Sequence, residues 1–330
     1  QTRDHLDDLR TWSAKLGADP SLVQGGGGNT SIKSGGRLLV KASGTWLADA
    51  LVKDIFVDVE LATLKAETLA LRPSIETALH ALMPHPCVMH AHPISVIAAT
   101  VRADGDMFLK EALDGFDWRL VPYRKPGADL AEACAAALAD GRPDILILQN
   151  HGLVVGADTP EEAFLALEQV SQRLERPSRL QATDASQYID LDGYAPSKHP
   201  LASAVAQCPQ AAAALSAGAL VPDQVVYLGG PVPAIAQAHH LETVRSRWQT
   251  ARGVAPTAVL LRGHTVYVER GAGEAARLMV AMLIEVAAAL PADQPVRTLS
   301  LQDELALLNW EAEAHRQSVD QQREKDRCHG

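Results

Sequence analysis

The chain is 330 residues long, more than one typical domain and enough for two with a sizeable buried core. Its formal net charge of −10 argues against a general nucleic-acid partner, because phosphate binding needs a basic face. The four cysteines (Cys87, Cys134, Cys208, Cys328) form no C-x-x-C pair, no apolar run reaches the ~18 residues of a membrane span, and the first residues carry no hydrophobic leader, which together predict a cytoplasmic chain in a reducing compartment.

Taken in order, residues 4–16 predict an amphipathic helix with Leu6, Leu9, Trp12 and Leu16 on one side. The first residue is Gln1 rather than methionine, which reads as a trimmed chain. A glycine-rich turn, Gly25-Gly26-Gly27-Gly28-Asn29, leads into a hairpin of residues 31–33 and 37–41 around Ser34-Gly35-Gly36. A second small-residue turn, Ala42-Ser43-Gly44-Thr45, precedes a strand at 55–59. Ser74 reads as the N-cap of a helix, and residues 87–90 as a strand. Further helices are expected at 94–100 and 129–139 and strands at 120–123 and 145–148. Thr159-Pro160-Glu161-Glu162 is a strong helix start, with proline at the first helical position and acids in the first turn. Residues 176–201 are polar and proline-containing and read as a linker. Beyond them lie expected strands at 224–228 and 257–261, the latter in a hairpin with 264–268. Nearly apolar helix 273–290, helix 302–317 and a solvated tail at 321–326 follow. Strands and helices without strict βαβ alternation point to α/β or α+β layers around a mostly antiparallel sheet.

The chemistry-bearing residues cluster around residues 72–93. His90 and His92 stand two apart at the end of a strand, so both imidazoles face one point. Imidazole is a common ligand for zinc-like ions, and a second apolar run ends in Gln149-Asn150-His151-Gly152, which offers a third. Glu76 supplies a nearby carboxylate. Any single one of the twelve histidines is more ordinarily a satisfied structural residue, but two strand-end motifs and a carboxylate favour one metal site. His80 and His85 lack a partner at strand spacing and read either as structural or as supports behind the metal ligands. The adjacent pair His239-His240 is expected to diverge on a surface helix, and Cys328-His329 to be a disordered end. For the first glycine turn, a plain hairpin turn and a backbone cradle for an anion stand side by side. No phosphate-loop motif and no G-x-S-x-G elbow occur.

In order, G-G-G-G-N-T-S, K-A-S-G-T, P-S-I-E, H-A-H-P, V-P-Y-R-K-P-G and Q-N-H-G resemble the class II aldolase/adducin family over residues 4–181. Each motif is weak alone, but their order and spacing are specific. The family includes fuculose- and rhamnulose-phosphate aldolases, a ribulose-phosphate 4-epimerase, dehydratases, decarboxylases and the non-catalytic adducin head. The longer form is most similar to the aldolase part of bifunctional rhamnulose-phosphate aldolase/lactaldehyde dehydrogenases, with no dehydrogenase part expected here.

The resemblance implies an αβα layered catalytic domain over 1–195 with a mostly antiparallel sheet, and a smaller α/β extension over 196–330. It also implies a divalent ion, Zn2+ or else Mn2+ or Co2+, held by His90, His92 and His151. Glu76 would be an extra ligand at rest and the acid/base in turnover, and Tyr123 would reach a neighbouring subunit's site and protonate the aldehyde oxygen there. Asn29, Ser43, Gly44 and Ser74 match positions lining the substrate pocket. The implied activity is that of an aldolase splitting or joining a hydroxylated carbonyl compound through a metal-stabilised enediolate. A decarboxylase, epimerase or dehydratase on the same scaffold is the alternative. A homo-oligomer, a tetramer by analogy, is implied, with a small sugar-like substrate and neither nucleic acid nor membrane as partner. Two departures matter. Ile75, Gly26 and Gly27 stand where phosphate-binding members commonly carry hydroxyls, which points toward an unphosphorylated or carboxylate-bearing substrate, with Lys41 or Lys33 as anion partners.

Overall fold

The computed structural model describes residues 2–66, 70–183, 188–293 and 295–328, with the side chains of 2–5 and 328 outside the description. The chain packs as two units: Gln1–Thr100, Asp106–Glu175 and Ala314–Gly330 form the first, Val101–Gly105 and Arg176–Glu313 the second. The sequence reading divides the chain once, at 195/196. By packing, the last residues instead return to the first unit.

In the first unit, helix α1 (Thr2–Gly17) is followed by strands β1 (Asn29–Ser34), β2 (Arg37–Lys41) and β3 (Phe56–Glu60). Then come α2 (Thr77–Leu82), β4 (Cys87–Ala91), α3 (Ile94–Thr100), α4 (Gly105–Ala112), β5 (Trp118–Val121) and α5 (Ala128–Leu138). Strands β6 (Ile145–Leu148) and β7 (Gly152–Ala157) and helix α6 (Pro160–Leu174) complete the series. The seven strands form one sheet in the order β3-β2-β1-β4-β7-β6-β5, antiparallel except for the β5–β6 pair. The β1–β2 turn is Gly35-Gly36, both at positive φ (56° and 78°), as a two-residue hairpin of primed type requires.

Side-chain alternation sorts the central strands onto two faces. Cys87, Met89, Ala91, Ile145, Ile147, Leu153 and Val155 pack into one buried cluster with Leu9 and Leu16 of α1, Val96 and Ala99 of α3, Leu109 of α4, and Phe164 and Leu167 of α6. Val88, Leu146, Leu148 and Val154 pack on the opposite face with Leu79 of α2, Met83, and Leu130 and Cys134 of α5. The result is an αβα sandwich around a mostly antiparallel sheet, in agreement with the expected class.

The second unit holds β8 (Tyr194–Pro196), α7 (Ala202–Gln207), α8 (Pro209–Ser216), α9 (Pro222–Leu228), β9 (Ala234–Ile235) and α10 (Leu241–Arg252). These are followed by β10 (Ala258–Leu261), β11 (Thr265–Glu269), α11 (Glu274–Ala289) and α12 (Leu301–Leu308). Its sheet order is β8-β11-β10-β9. Buried Glu304 joins two segments here, pairing with Arg252 at 2.5 Å and accepting from the Ala219 N–H at 2.7 Å. The last helix, α13 (Glu311–Cys328), contributes residues from 314 onward to the first unit. There Asp320 accepts from the Trp46 indole at 2.5 Å, and Arg323 pairs with Asp49 at 2.8 Å while lying 3.6 Å over the Trp46 ring.

Several local expectations are corrected. Residues 224–228 are helical, not a strand: Pro222 opens α9 and Gly229, at φ 79°, closes it, overriding the strand preference of Val225-Val226-Tyr227. Residues 176–201 are not all linker, since β8 pairs with β11. Helix 302–317 is two helices, because Asn309 leaves the helical region. The expected solvated tail is helical and tied down through Arg323. Helix α2 is capped at Glu76 rather than Ser74. The rings of exposed His239 and His240 lie 4.3 Å apart instead of diverging. Helices α4, α7, α8 and α10 had no counterpart in the sequence reading. The Cys328 side chain and His329 lie outside the described residues; Cys87, Cys134 and Cys208 are free thiols. Among the described residues no helix is long and apolar enough to cross a membrane.

The start of α6 is a complete capping box: Thr159 accepts from the Glu162 N–H at 3.2 Å, and Glu162 accepts from the Thr159 N–H at 3.2 Å. Thr159→Ala is expected to cost about 1 kcal/mol. Urea unfolding checks this as a lowered midpoint with an unchanged slope; an unmoved midpoint contradicts it.

Candidate metal centre

The site grows from the register of three strands. Asn29 on β1 lies opposite His90 on β4, and His90 lies opposite Val154 on β7. Directly paired residues share a face, so Asn29 and His90 face the α2–α5 layer together with Val88 and Val154. His92 keeps the same parity just past the strand end. His151 arrives from the β6–β7 hairpin, whose loop residue Asn150 sits at φ 53°, a left-handed conformation that asparagine tolerates. Gly152 follows because nothing larger fits: a Cβ there would lie 2.3 Å from the Ala91 carbonyl oxygen and 2.9 Å from the His92 ring.

The three imidazoles converge. Their ligand nitrogens all lie within 4.8 Å of one another, and the Nε2 atoms of His90 and His92 are 3.0 Å apart. All three rings are buried. Nδ1 of His90 contacts the Leu153 carbonyl oxygen at 3.0 Å, an arrangement that puts a proton on Nδ1 and presents the Nε2 lone pair to the cluster. Glu76 turns both carboxylate oxygens inward, Oε2 3.3 Å from His90 Nε2 and Oε1 3.4 Å from His151 Nε2. Three neutral nitrogens and one carboxylate around one point are a donor set for a zinc-type divalent ion. The converging lone pairs also need a cation or protons between them.

Electrostatics agree with an ionised carboxylate. Burial raises the Glu76 pKa, but His90 and His151, then the Asn29 amide and His92, outweigh it and hold the carboxyl at about 2, below its ordinary 4.5. His80 is fully buried, and burial, then the charges of His90, Lys33 and Lys41, push it down to about 3 from 6.5 against the pull of Glu76.

The other candidate residues are placed as follows. The Asn29 amide donates to Glu76 Oε2 at 2.9 Å and to Ser74 Oγ at 3.1 Å, so Asn29 bears directly on the carboxylate, while Ser74 steadies the amide and accepts from the Glu76 N–H at 3.2 Å. Ser43 and Gly44 lie on the loop after β2, where the Ser43 N–H donates to the Arg72 carbonyl. Gly44, at φ 79°, faces Val319 of α13, 2.7 Å from where a Cβ would be. Tyr123 follows β5, half-buried, its N–H donating to Gln149 at 3.4 Å beside the turn that carries His151. The lysines are both taken up by carbonyls. Buried Lys41 donates to Gly26 and Thr45, tying the glycine turn to the second loop, and Lys33 donates to Met83 and His85, its pKa lowered by burial to about 8. His85 pairs with Asp144 at 2.8 Å.

Two residues lie at the carboxylate's back: His80, which the sequence reading left as structural or supporting, and Ser31, to which it gave no role. His80 contacts Asn29 Oδ1 through Nε2, and Ser31 Oγ through Nδ1 at 2.7 Å. The signal was present in the spacing: Ser31 is two along the strand from Asn29, and His80 four along the helix from Glu76.

Sheet, layers and a buried three-histidine, one-carboxylate cluster define an αβα protein with a candidate metal centre. Residues 9–176 match the model of the Class II Aldolase and Adducin N-terminal domain, and the chain belongs to that family. It is 28% identical over 201 residues to the Bacillus subtilis protein named uncharacterized oxidoreductase YuxG, a match covering 52% of this chain and 29% of that protein. The chain thus spans less than a third of that relative's length. Similar solved structures include the N-terminal class II aldolase domain of a conserved protein from Thermoplasma acidophilum (27% identity, 51% of this chain, 91% of that one, TM-score 0.44). Another is a sugar-phosphate aldolase from Thermotoga maritima (16% identity, 52% and 93%, TM-score 0.46).

The two lowered pKa values predict acid lability of the metal-stripped protein. Between pH 6.5 and about 3 the unfolded chain binds a proton at residue 80 that the folded chain refuses, and between 4.5 and about 2 the same holds at residue 76. In both windows the unfolded state binds more protons, so stability falls as pH falls. Urea midpoints of chelator-treated protein should decline from pH 7 to 4, and less steeply in His80→Gln. A flat profile contradicts this placement.

Proposed function

We propose that this chain is a divalent-metal-dependent lyase of the class II aldolase type, acting on a small hydroxylated carbonyl compound. The observation that carries the reading is the buried Glu76 carboxylate, with one oxygen 3.3 Å from His90 Nε2 and the other 3.4 Å from His151 Nε2. His90, His92 and His151 would hold Zn2+, or Mn2+ or Co2+, with Glu76 as a further ligand at rest. A divalent ion bound there supplies Lewis-acid stabilisation of the negative charge that carbon–carbon cleavage leaves on the substrate.

The chain's own residues do the remainder. Glu76 takes and returns the proton, since its carboxylate is the acid–base group beside the imidazoles and its Oε2 is steadied by Asn29. Burial of the four groups strengthens every charge interaction in the site. Ser43, Gly44 and Ser74, on adjoining segments, line the distal end of the substrate pocket, and Tyr123 serves a neighbouring subunit's site in a homo-oligomer. Residues 1–195 carry the catalysis and 196–330 form the extension, in a cytoplasmic enzyme. With Lys33 and Lys41 bound to main-chain carbonyls and Ile75 in place of a hydroxyl, an unphosphorylated substrate is favoured.

Metal analysis of the purified protein is expected to find one divalent ion per chain, and Glu76→Gln to lower kcat about a hundredfold or more with the fold intact. Protein without zinc, manganese or cobalt would instead favour a binding role. Product analysis with ketoses and 3-oxo acids separates lyase from decarboxylase, epimerase and dehydratase. Free ketoses are expected to turn over at least as well as their phosphates, and a tenfold preference for the phosphate overturns that part.

A further inference from the structure

We infer that His80 is a positioning residue: it fixes the Asn29 side-chain amide in the one orientation that donates to Glu76, and thereby holds the carboxylate on the histidine cluster. The inference concerns residues behind the site and, for its functional consequence, rests on the metal-centre reading above.

The direction of each hydrogen bond follows from one end of the chain of contacts. An ionised carboxylate only accepts, so the Asn29 atom 2.9 Å from Glu76 Oε2 is the amide nitrogen. Its second proton goes to Ser74 Oγ, 3.1 Å away. Oδ1 of Asn29 therefore faces His80 Nε2, and an oxygen there requires a proton on that nitrogen. A neutral imidazole carries one proton, so Nδ1 is bare and accepts from the Ser31 hydroxyl at 2.7 Å. The four side chains make one directed relay, Ser31 to His80 to Asn29 to Glu76, with every member buried.

Without the imidazole N–H the amide loses its orienting partner. Flipping it would turn Oδ1 toward the carboxylate, two acceptors face to face in a dry site. His80 touches neither the three imidazoles' ligand nitrogens nor the carboxylate in these contacts, so its influence passes through Asn29. Groups that orient metal ligands in this way typically govern about 10–100-fold in affinity or activity.

Two substitutions separate the ends of the imidazole. Glutamine at 80 places an amide nitrogen where Nε2 stands and keeps the donor to Asn29; asparagine places one near Nδ1 and loses it. Zinc affinity by chelator competition and kcat are to be measured for His80→Gln, His80→Asn, His80→Leu, Asn29→Leu and the His80→Leu/Asn29→Leu double variant. Expected are losses of about 10–100-fold for His80→Asn and His80→Leu, less than about fivefold for His80→Gln, and less than about twofold further loss when His80→Leu is added to Asn29→Leu. Additive losses, or asparagine equal to or better than glutamine, overturn the proposal and assign His80 to packing alone.

A measurement independent of metal and activity completes the test. Long-range 1H–15N correlation spectra of the full chain, with the His80 signals assigned by their absence in His80→Gln, should show Nε2 protonated and Nδ1 bare from pH 5 to 8. The opposite tautomer overturns the relay whatever the protein catalyses. The expected tautomer in a protein that binds no zinc, manganese or cobalt leaves the relay standing and removes the lyase reading instead.

Discussion

A charged carboxylate inside an apolar layer is the constraint around which the first unit is arranged. Left alone, a buried carboxylate would either take up a proton or destabilise the fold by several kcal/mol. Glu76 is met on both sides, by His90 and His151, with the cation or protons that their lone pairs require, at its front and by the Asn29 amide at its back. Each compensating group is itself positioned by something else: His90 by the Leu153 carbonyl, Asn29 by His80 and Ser74. The donor set for a cation and the means of keeping its carboxylate ionised are therefore the same contacts.

The sheet makes that convergence geometrically cheap. Asn29, His90 and Val154 are neighbours across β1, β4 and β7, so one row of the pleat brings together residues more than sixty positions apart. The α2–α5 layer lies on that same face, which places Glu76, the N-cap of α2, against the row. The opposite face, filled by α1, α3, α4 and α6, is mainly apolar packing, with a buried Ser13–Thr30 hydroxyl contact at 2.7 Å among it. One side of the sheet holds the unit together while the other carries chemistry.

Much of this was legible in the residues. H-A-H at a strand end, Q-N-H-G after a second apolar run and the glutamate of P-S-I-E identified the four groups that converge, because two-residue alternation is a strong constraint on a strand. The alternation of strands and helices carried the fold class. What eluded the sequence was set by contacts or by competing local signals. His80 stayed undecided between a structural and a supporting role because it was judged by strand spacing, although it lies four residues from Glu76 on a helix. Residues 224–228 looked like a strand because β-branched side chains outweighed Pro222 and Gly229 in the reading, and the terminal residues looked solvated because Arg323 finds its partners, Asp49 and the Trp46 ring, only through tertiary folding. The lysines looked available to an anion because nothing in a sequence reveals that Gly26, Thr45, Met83 and His85 point their carbonyls at them.

The grip of α13 on the segment around Gly44 and Trp46 has a kinetic side. Trp46 and Asp320 are separated by 274 positions, as are Asp49 and Arg323, among the widest loop closures in the chain. The entropy of closing a loop rises with the logarithm of its length, so such contacts are disfavoured in any early nucleus, and the partner helix also leaves the ribosome after every other described element. The Ser43–Gly44 loop therefore gains this clamp only when the last helix docks, whatever the seven-stranded core has formed by then.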